Sequence, residues 1–393
     1  MFGSYYEFYN SVKIISGDKA LDNIPYELGI LNVKRPLVIT DKGVESAGLI
    51  KIFINAFKDA KEEIGAIYSD VPPDSSNRVV NRIAEVFNEN NCDSIIAVGG
   101  GSPIDTGKGV NILVSEGASD LMDFAGADRL VKPLKPFIVV PTTAGTGSEA
   151  TSVAVIYNEE EKVKMEFISS YLLPNLAVID PRMTETMPPK ITAATGMDAL
   201  THSVEAYTCL QKNPVSDAYA FSAIKFISEY LPRVVENGKD KEARLWMANA
   251  ATMSGIAFSN SMVGAVHALG HATGAVAKVP HGVAMSIFLT HCLEYNLPKT
   301  GEIIGELLLP FSGADEYAKC PAEKRAEKLI EDIRYLQSKL QNISGLPMKL
   351  SEAGVEEHQL GDIANLAIND GALMMNPLDM TFDEAMVVLK KAF

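Results

Sequence analysis

Cysteine is scarce and scattered in this chain. Cys92, Cys209, Cys292 and Cys320 are the only four in 393 residues, and no two form a CxxC pair. That spacing excludes a zinc knuckle and a disulfide frame, and it points to free thiols of a reducing, cytoplasmic compartment. Basic residues are also few: 35 Lys and Arg face 50 Asp and Glu, for a net charge of −15. A chain this acidic repels phosphate backbones, so nucleic acid is not an expected partner. No run of about twenty apolar residues occurs, so no membrane span is expected. Residues 1–14 show no basic stretch followed by an apolar one, so a secretory signal is not expected either. Low-complexity segments and fixed-period repeats are missing, which excludes a linker-like or solenoid chain.

What is present is an ordinary globular composition, 47% apolar and 22% charged, at a length that suggests two domains. The first half alternates strands and helices. Apolar runs at Arg35–Thr40, Ile64–Tyr68, Ser94–Val98, Phe137–Val140 and Ala177–Ile179 read as strands. Helices are expected over about Ser46–Lys61, about Asn77–Asn90, and from Pro103 near a first turn. Thr151–Ile156 and Lys164–Ser169 read as a hairpin. Continuous apolar strands between helices predict a parallel sheet covered on both faces, a Rossmann-like α/β architecture. From Ile191 onward the chain is Ala-, Leu- and Met-rich with helical periodicity. The boundary is placed near 183–190, giving an α/β domain over 1–185 and an all-helical domain over 186–393.

In a parallel sheet, ligands gather at the carboxyl ends of the strands. Asp41, the triplet Gly99-Gly100-Gly101 and the pair Thr142-Thr143 all fall there. GGGSPIDTGKG is not a P-loop, because Ser102 stands where a Gly is needed and Gly109 where a Ser or Thr should hold magnesium. GTGSEA at 145–150 fits GxGxxA only formally, with no acid about twenty residues on. The physics survives without either label. Glycines between a strand and a helix let backbone N–H groups approach a pyrophosphate. Asp41 can accept hydrogen bonds from a ribose and would repel a 2′-phosphate, which favours NAD. The alternative is that the glycines are tight turns and Asp41 caps the next helix.

Only six histidines occur, all in the second half, and three lie in Gly264–Gly282: His267, His271 and His281. His267 and His271 are four apart and share a helix face. Pro280 ends or kinks that helix and lets His281 turn back. Asp198 and His202 repeat the four-residue spacing. Four imidazoles and one carboxylate therefore have the spacing to converge on a cation. The alternative for each is a hydrogen-bonded core residue.

These motifs together resemble the iron-containing (group III) alcohol dehydrogenases. The resemblance rests on TDKG at 40–43, GGGSPIDTGK at 99–108, PTTAGTGSE at 141–149, KMEFISSYLLPNLAVIDP at 164–181, GMDALTHSVE at 196–205 and AFSNSMVGAVHALGHATGAVAKVPHG at 257–282. It implies the fold that this family shares with dehydroquinate synthases. It implies Asp198, His202, His267 and His281 as ligands of Fe(II), with zinc possible by ligand type, and His271 as a non-ligand serving the proton or the substrate. For NAD it implies Asp41, Gly100, Gly101, Ser102, Thr142, Thr143, Thr146 and Lys164. The expected reaction interconverts a small primary alcohol or diol and its aldehyde, in a dimer or higher homo-oligomer. The competing reading is a lyase or cyclase using NAD transiently, which would need a basic pocket. Val71-Pro72-Pro73-Asp74 departs from the family's Pro-Asn-Pro turn, putting an anion near the expected cofactor. Phe258 is the expected pocket wall, with core packing as the alternative.

Overall fold

The computed structural model describes residues 5–393. The chain forms two compact units, Tyr9–Thr186 and Met187–Phe393, the latter joined by Tyr5–Phe8.

The first unit is built on a sheet of six parallel strands in the order β1-β9-β6-β4-β2-β3. These are β1 (Lys13–Ser16), β2 (Pro36–Ile39), β3 (Ala66–Tyr68), β4 (Ser94–Gly99), β6 (Phe137–Pro141) and β9 (Leu176–Ile179). A second sheet contains β5 (Gly126–Ala127), β7 (Val153–Asn158) and β8 (Val163–Ile168), with β7 and β8 as an antiparallel hairpin. The period-2 alternation of a strand explains why the central strands are apolar throughout. Ile95, Ala97, Phe137 and Val139 point to one face and pack with Val80, Ile83 and Val110. Ile96, Val98, Ile138 and Val140 point to the other and pack with Leu21, Ile24 and Phe53. Neither face tolerates a polar residue, so the strands read as continuous runs.

The helix expected at Ser46–Lys61 is instead two short helices, Lys42–Ser46 and Leu49–Asn55. Gly48, at φ +76°, breaks them apart in a left-handed turn that glycine adopts without strain. Strands β1 and β5 have no clear sequence signal. β1 is a four-residue edge strand, largely exposed, and β5 has two residues.

One buried cation ties this unit together. Lys108, on the helix Gly101–Glu116, is fully buried. Its ammonium donates to Thr151 O (2.8 Å), Thr151 Oγ1 (2.9 Å) and Val153 O (2.7 Å). Three donors thus have three acceptors. Burial pushes Lys108 down to about 8 and the neighbouring Asp105 up to about 6. Lys108→Met keeps the side chain's bulk but takes the ammonium from the Thr151 carbonyl and removes the cation beside buried Asp105. It is expected to destabilise this unit by about 3–5 kcal/mol in denaturant unfolding; an unchanged midpoint would show that the clamp contributes nothing.

The second unit is helical. Pro189–Thr208, Pro214–Glu236 and Lys241–Ser259 pack on one another, and His281–Glu306 packs against the first of them. Small residues permit close approach: a Cβ on Gly196 would lie 2.3 Å from Leu231 Cδ1. No helix among the described residues is long and apolar enough to cross a membrane.

Candidate metal centre and cofactor loops

Three helices bring four side chains to one point. Asp198 and His202 are one turn apart on Pro189–Thr208. His267 lies in the first turn of Ala265–Ala277. That helix ends at Lys278 in a left-handed conformation (φ 58°), and Pro280 caps the next helix, whose first residue is His281. The chain therefore stops and restarts between the third and fourth groups rather than kinking. Each of Asp198, His202, His267 and His281 offers one donor atom within 4.8 Å of the others. His281 Nε2 is 3.3 Å and His202 Nδ1 3.8 Å from Asp198 Oδ1.

Burial and hydrogen bonding decide what this cluster can do. Asp198, His202 and His267 are buried, whereas the His281 side chain is 41% exposed, so His281 is the member of the cluster that meets solvent. Asp198 Oδ1, His202 Nδ1 and His267 Nε2 are buried with no hydrogen-bond partner. Each such atom costs about 1–3 kcal/mol, and three of them meet at one place. Core histidines satisfied by the protein would not show this; a divalent cation would satisfy all three. Burial pushes His202 down to about 3 and His267 well below its ordinary value, so both rings are neutral donors. Burial pushes the Asp198 carboxyl up, but the His281 ring 3.3 Å away outweighs it and holds it below the usual range. Ionised carboxylate and neutral imidazoles are the forms that bind metal. The residues fit a divalent ion of the iron or zinc type.

His271 stays outside this group although its spacing from His267 is helical. Its ring stands edge-on to His267 at 5.7 Å between centroids and stacks near His281 at 5.5 Å. Its Nδ1 lies 3.0 Å from Asp370 Oδ2, which holds the ring away from the cluster. Phe258, expected as a pocket wall, stacks on the His202 ring at 4.2 Å.

In the first unit the cofactor candidates gather at the carboxyl edge of the sheet. β2, β4 and β6 are neighbours, with Ile39 opposite Ala97 and Gly99 opposite Pro141. Asp41, Gly100, Gly101, Ser102, Thr142 and Thr143 therefore follow adjacent strand ends. A Cβ on Gly100 would sit 3.2 Å from Thr143 Oγ1, and one on Gly101 3.3 Å from Thr146 Cγ2. The glycines thus let the two loops touch at the start of Gly101–Glu116, where the helix dipole favours an anion. Asp41 caps its helix, with Oδ1 accepting from Val44 N–H at 2.9 Å, which leaves its second oxygen for other partners. Lys164 lies on β8 in the second sheet, and its Nζ is 2.6 Å from Asp74 Oδ1. The anion that departs from the family turn is thereby matched by a candidate cofactor lysine.

Residues 11–181 match the family described as iron-containing alcohol dehydrogenase, and residues 192–393 match its C-terminal domain family. The chain belongs to the iron-containing alcohol dehydrogenases. The NAD-dependent methanol dehydrogenase of Bacillus methanolicus is 35% identical, across 96% of this chain and 97% of that protein. The 1,3-propanediol dehydrogenase of Klebsiella pneumoniae is 36% identical, across 96% of both. The crystal structure of a 1,3-propanediol oxidoreductase superposes with a TM-score of 0.94 at 35% identity, covering 99% of this chain and 100% of that one.

Two residues of this iron-containing dehydrogenase escaped the sequence reading. Glu205 contacts His267, and Asp370 contacts His271. Glu205 carries a signal, a carboxylate one turn past His202 on an Ala- and Thr-rich helix. Asp370 carries none, since it lies 99 residues from its partner.

Proposed function

We propose that this chain is an iron-dependent, NAD-linked alcohol dehydrogenase interconverting a small primary alcohol or diol and its aldehyde by hydride transfer. The observation that carries the metal half of this reading is the set of three orphaned buried donor atoms beside His281. We assign Asp198, His202, His267 and His281 as the ligands, residues 9–186 as the NAD-binding unit and residues 187–393 as the metal-binding unit. When bound, the divalent ion supplies Lewis acidity toward a substrate oxygen and the nicotinamide accepts or returns the hydride.

The protein's own groups do the rest. One carboxylate and three neutral rings leave a divalent ion with a net charge of +1, so the ligand set does not quench it. Gly100, Gly101 and Ser102 present backbone N–H groups to a pyrophosphate, and Thr142, Thr143, Thr146 and Lys164 complete the cofactor contacts. The Asp41 carboxylate accepts from ribose hydroxyls and repels a 2′-phosphate, which selects NAD. His271 anchors Nδ1 on Asp370 and keeps Nε2 for the substrate or its proton. A lyase using NAD transiently is not favoured, since the relatives that cover nearly the whole chain are named as dehydrogenases. We further propose a cytoplasmic homodimer or higher homo-oligomer; the four free cysteines support the compartment and symmetric dimers are the common oligomer.

The test is a rate panel of short primary alcohols and diols with NAD and NADP, on metal-stripped and Fe(II)-loaded protein. Stripped protein is expected to lose NADH formation and Fe(II) to restore it; full activity without metal would refute the assignment. His271→Ala is expected to keep metal content near that of the unaltered protein while lowering turnover or changing its pH profile. Loss of metal in that variant would make His271 a ligand.

A further inference from the structure

Glu205 is a buried carboxylate beside the metal-binding cluster that offers it no ligand atom. Its two oxygens are engaged separately. Oε1 accepts from Val266 N–H at 2.7 Å, and Oε2 lies 2.5 Å from His267 Nδ1. Both partners belong to the first turn of Ala265–Ala277. That helix starts at Gly264, which has no side chain to cap it. Remote groups supply the caps instead: Asn376 Oδ1 accepts from Ala265 N–H at 3.2 Å, and Glu205 accepts from Val266. A Cβ on Gly264 would sit 2.9 Å from Asn376 Oδ1 and 3.2 Å from Glu205 Oε1, so the missing side chain is what admits them.

A carboxylate only accepts hydrogen bonds. With Glu205 ionised, the form that the Val266 N–H donation favours, the Nδ1 of a neutral His267 across from Oε2 carries the proton, and Nε2 keeps its lone pair. Nε2 is also the ring atom left without a partner. Resting on the metal-centre reading above, we propose that Glu205 is the positioning residue of that centre. One oxygen fixes the start of the helix, and the other fixes the tautomer and orientation of His267, so that Nε2 faces the ion. The negative charge behind the ring also raises its basicity as a ligand.

Glu205→Gln separates this role from simple packing. If the amide oxygen stays on Val266 N–H, the amide NH2 faces Nδ1 and requires the opposite tautomer, with a proton on Nε2. If the amide flips, two donors meet at Val266 and the cap is lost. The experiment strips the holoenzyme of metal and titrates Co(II) in competition with a chelator, following the d–d absorption. Outer-shell partners typically contribute 10–100-fold to metal affinity, and Glu205→Gln is expected to weaken Co(II) by that factor with a changed absorption band. Separately, 15N spectra of histidine-labelled, metal-stripped protein are expected to show His267 as Nδ1–H in the unaltered chain, assigned by its loss in His267→Gln. Unchanged Co(II) affinity in Glu205→Gln, or an Nε2–H His267 in the unaltered chain, would overturn the role of Glu205. The second measurement holds even if Glu205→Gln does not fold. If the unaltered protein takes up no Co(II), the metal-centre reading falls as well; if it does and the variant matches it, only Glu205 falls.

Discussion

His267→Ala is expected to leave a folded protein that no longer retains metal. Removing the ring takes away a buried donor atom that has no other partner, and it leaves the Glu205 carboxylate without the group it orients. Three ligand residues remain, but His281 is half exposed, so the weakened set is open to water and to competing chelators. The loss of affinity should exceed the roughly 10–100-fold that an outer-shell deletion costs. Metal per chain after dialysis, measured by atomic absorption, should fall close to zero, and alcohol-dependent NADH formation should fall with it. Circular dichroism should be unchanged, because Ala265–Ala277 keeps its caps from Asn376 and Glu205. Full metal occupancy in this variant would remove His267 from the ligand set.

The second large effect comes from one missing methyl group. Gly282 follows His281, and a Cβ there would lie 2.5 Å from Ala194 O and 2.8 Å from Ala194 C. Those atoms are backbone of Pro189–Thr208, the helix carrying Asp198 and His202. No side-chain rotation relieves such a contact, so Gly282→Ala must push the start of His281–Glu306 away from its neighbour. Overpacking of this kind costs about 1–3 kcal/mol, and the displacement separates His281 from Asp198. The expected result is a lower melting temperature together with about a tenfold or greater loss of metal affinity. Gly301→Ala is the control, because a Cβ at Gly301 meets nothing within 4 Å. Equal metal affinity in Gly282→Ala and the unaltered chain would show that this close approach does not set the site.

Both predictions depend on contacts that periodicity does not contain. The strands of the first unit were legible because burial on both faces leaves a continuous apolar signature, as in Ser94–Gly99. The pairing order was not, since any of several parallel strands can neighbour another without changing that signature. The break at Gly48 was missed because an isolated glycine reads the same whether it sits within a helix or ends one.

The sequence by itself determined the two-part architecture, the glycine and threonine loops at strand ends, and the four-residue spacings of Asp198 with His202 and of His267 with His271. Its motifs also carried the family resemblance that separated His271 from the ligands. Only the tertiary structure decided which partner each ring meets. Spacing along a helix fixes which face a ring occupies, but not which partner waits there. Asp370 holds His271 from 99 residues away, and Glu205 turns His267 from a different helix. His281 reaches the cluster because the chain ends one helix at Lys278 and begins another at His281. Those partners are distant in sequence, and local propensity carries no information about them.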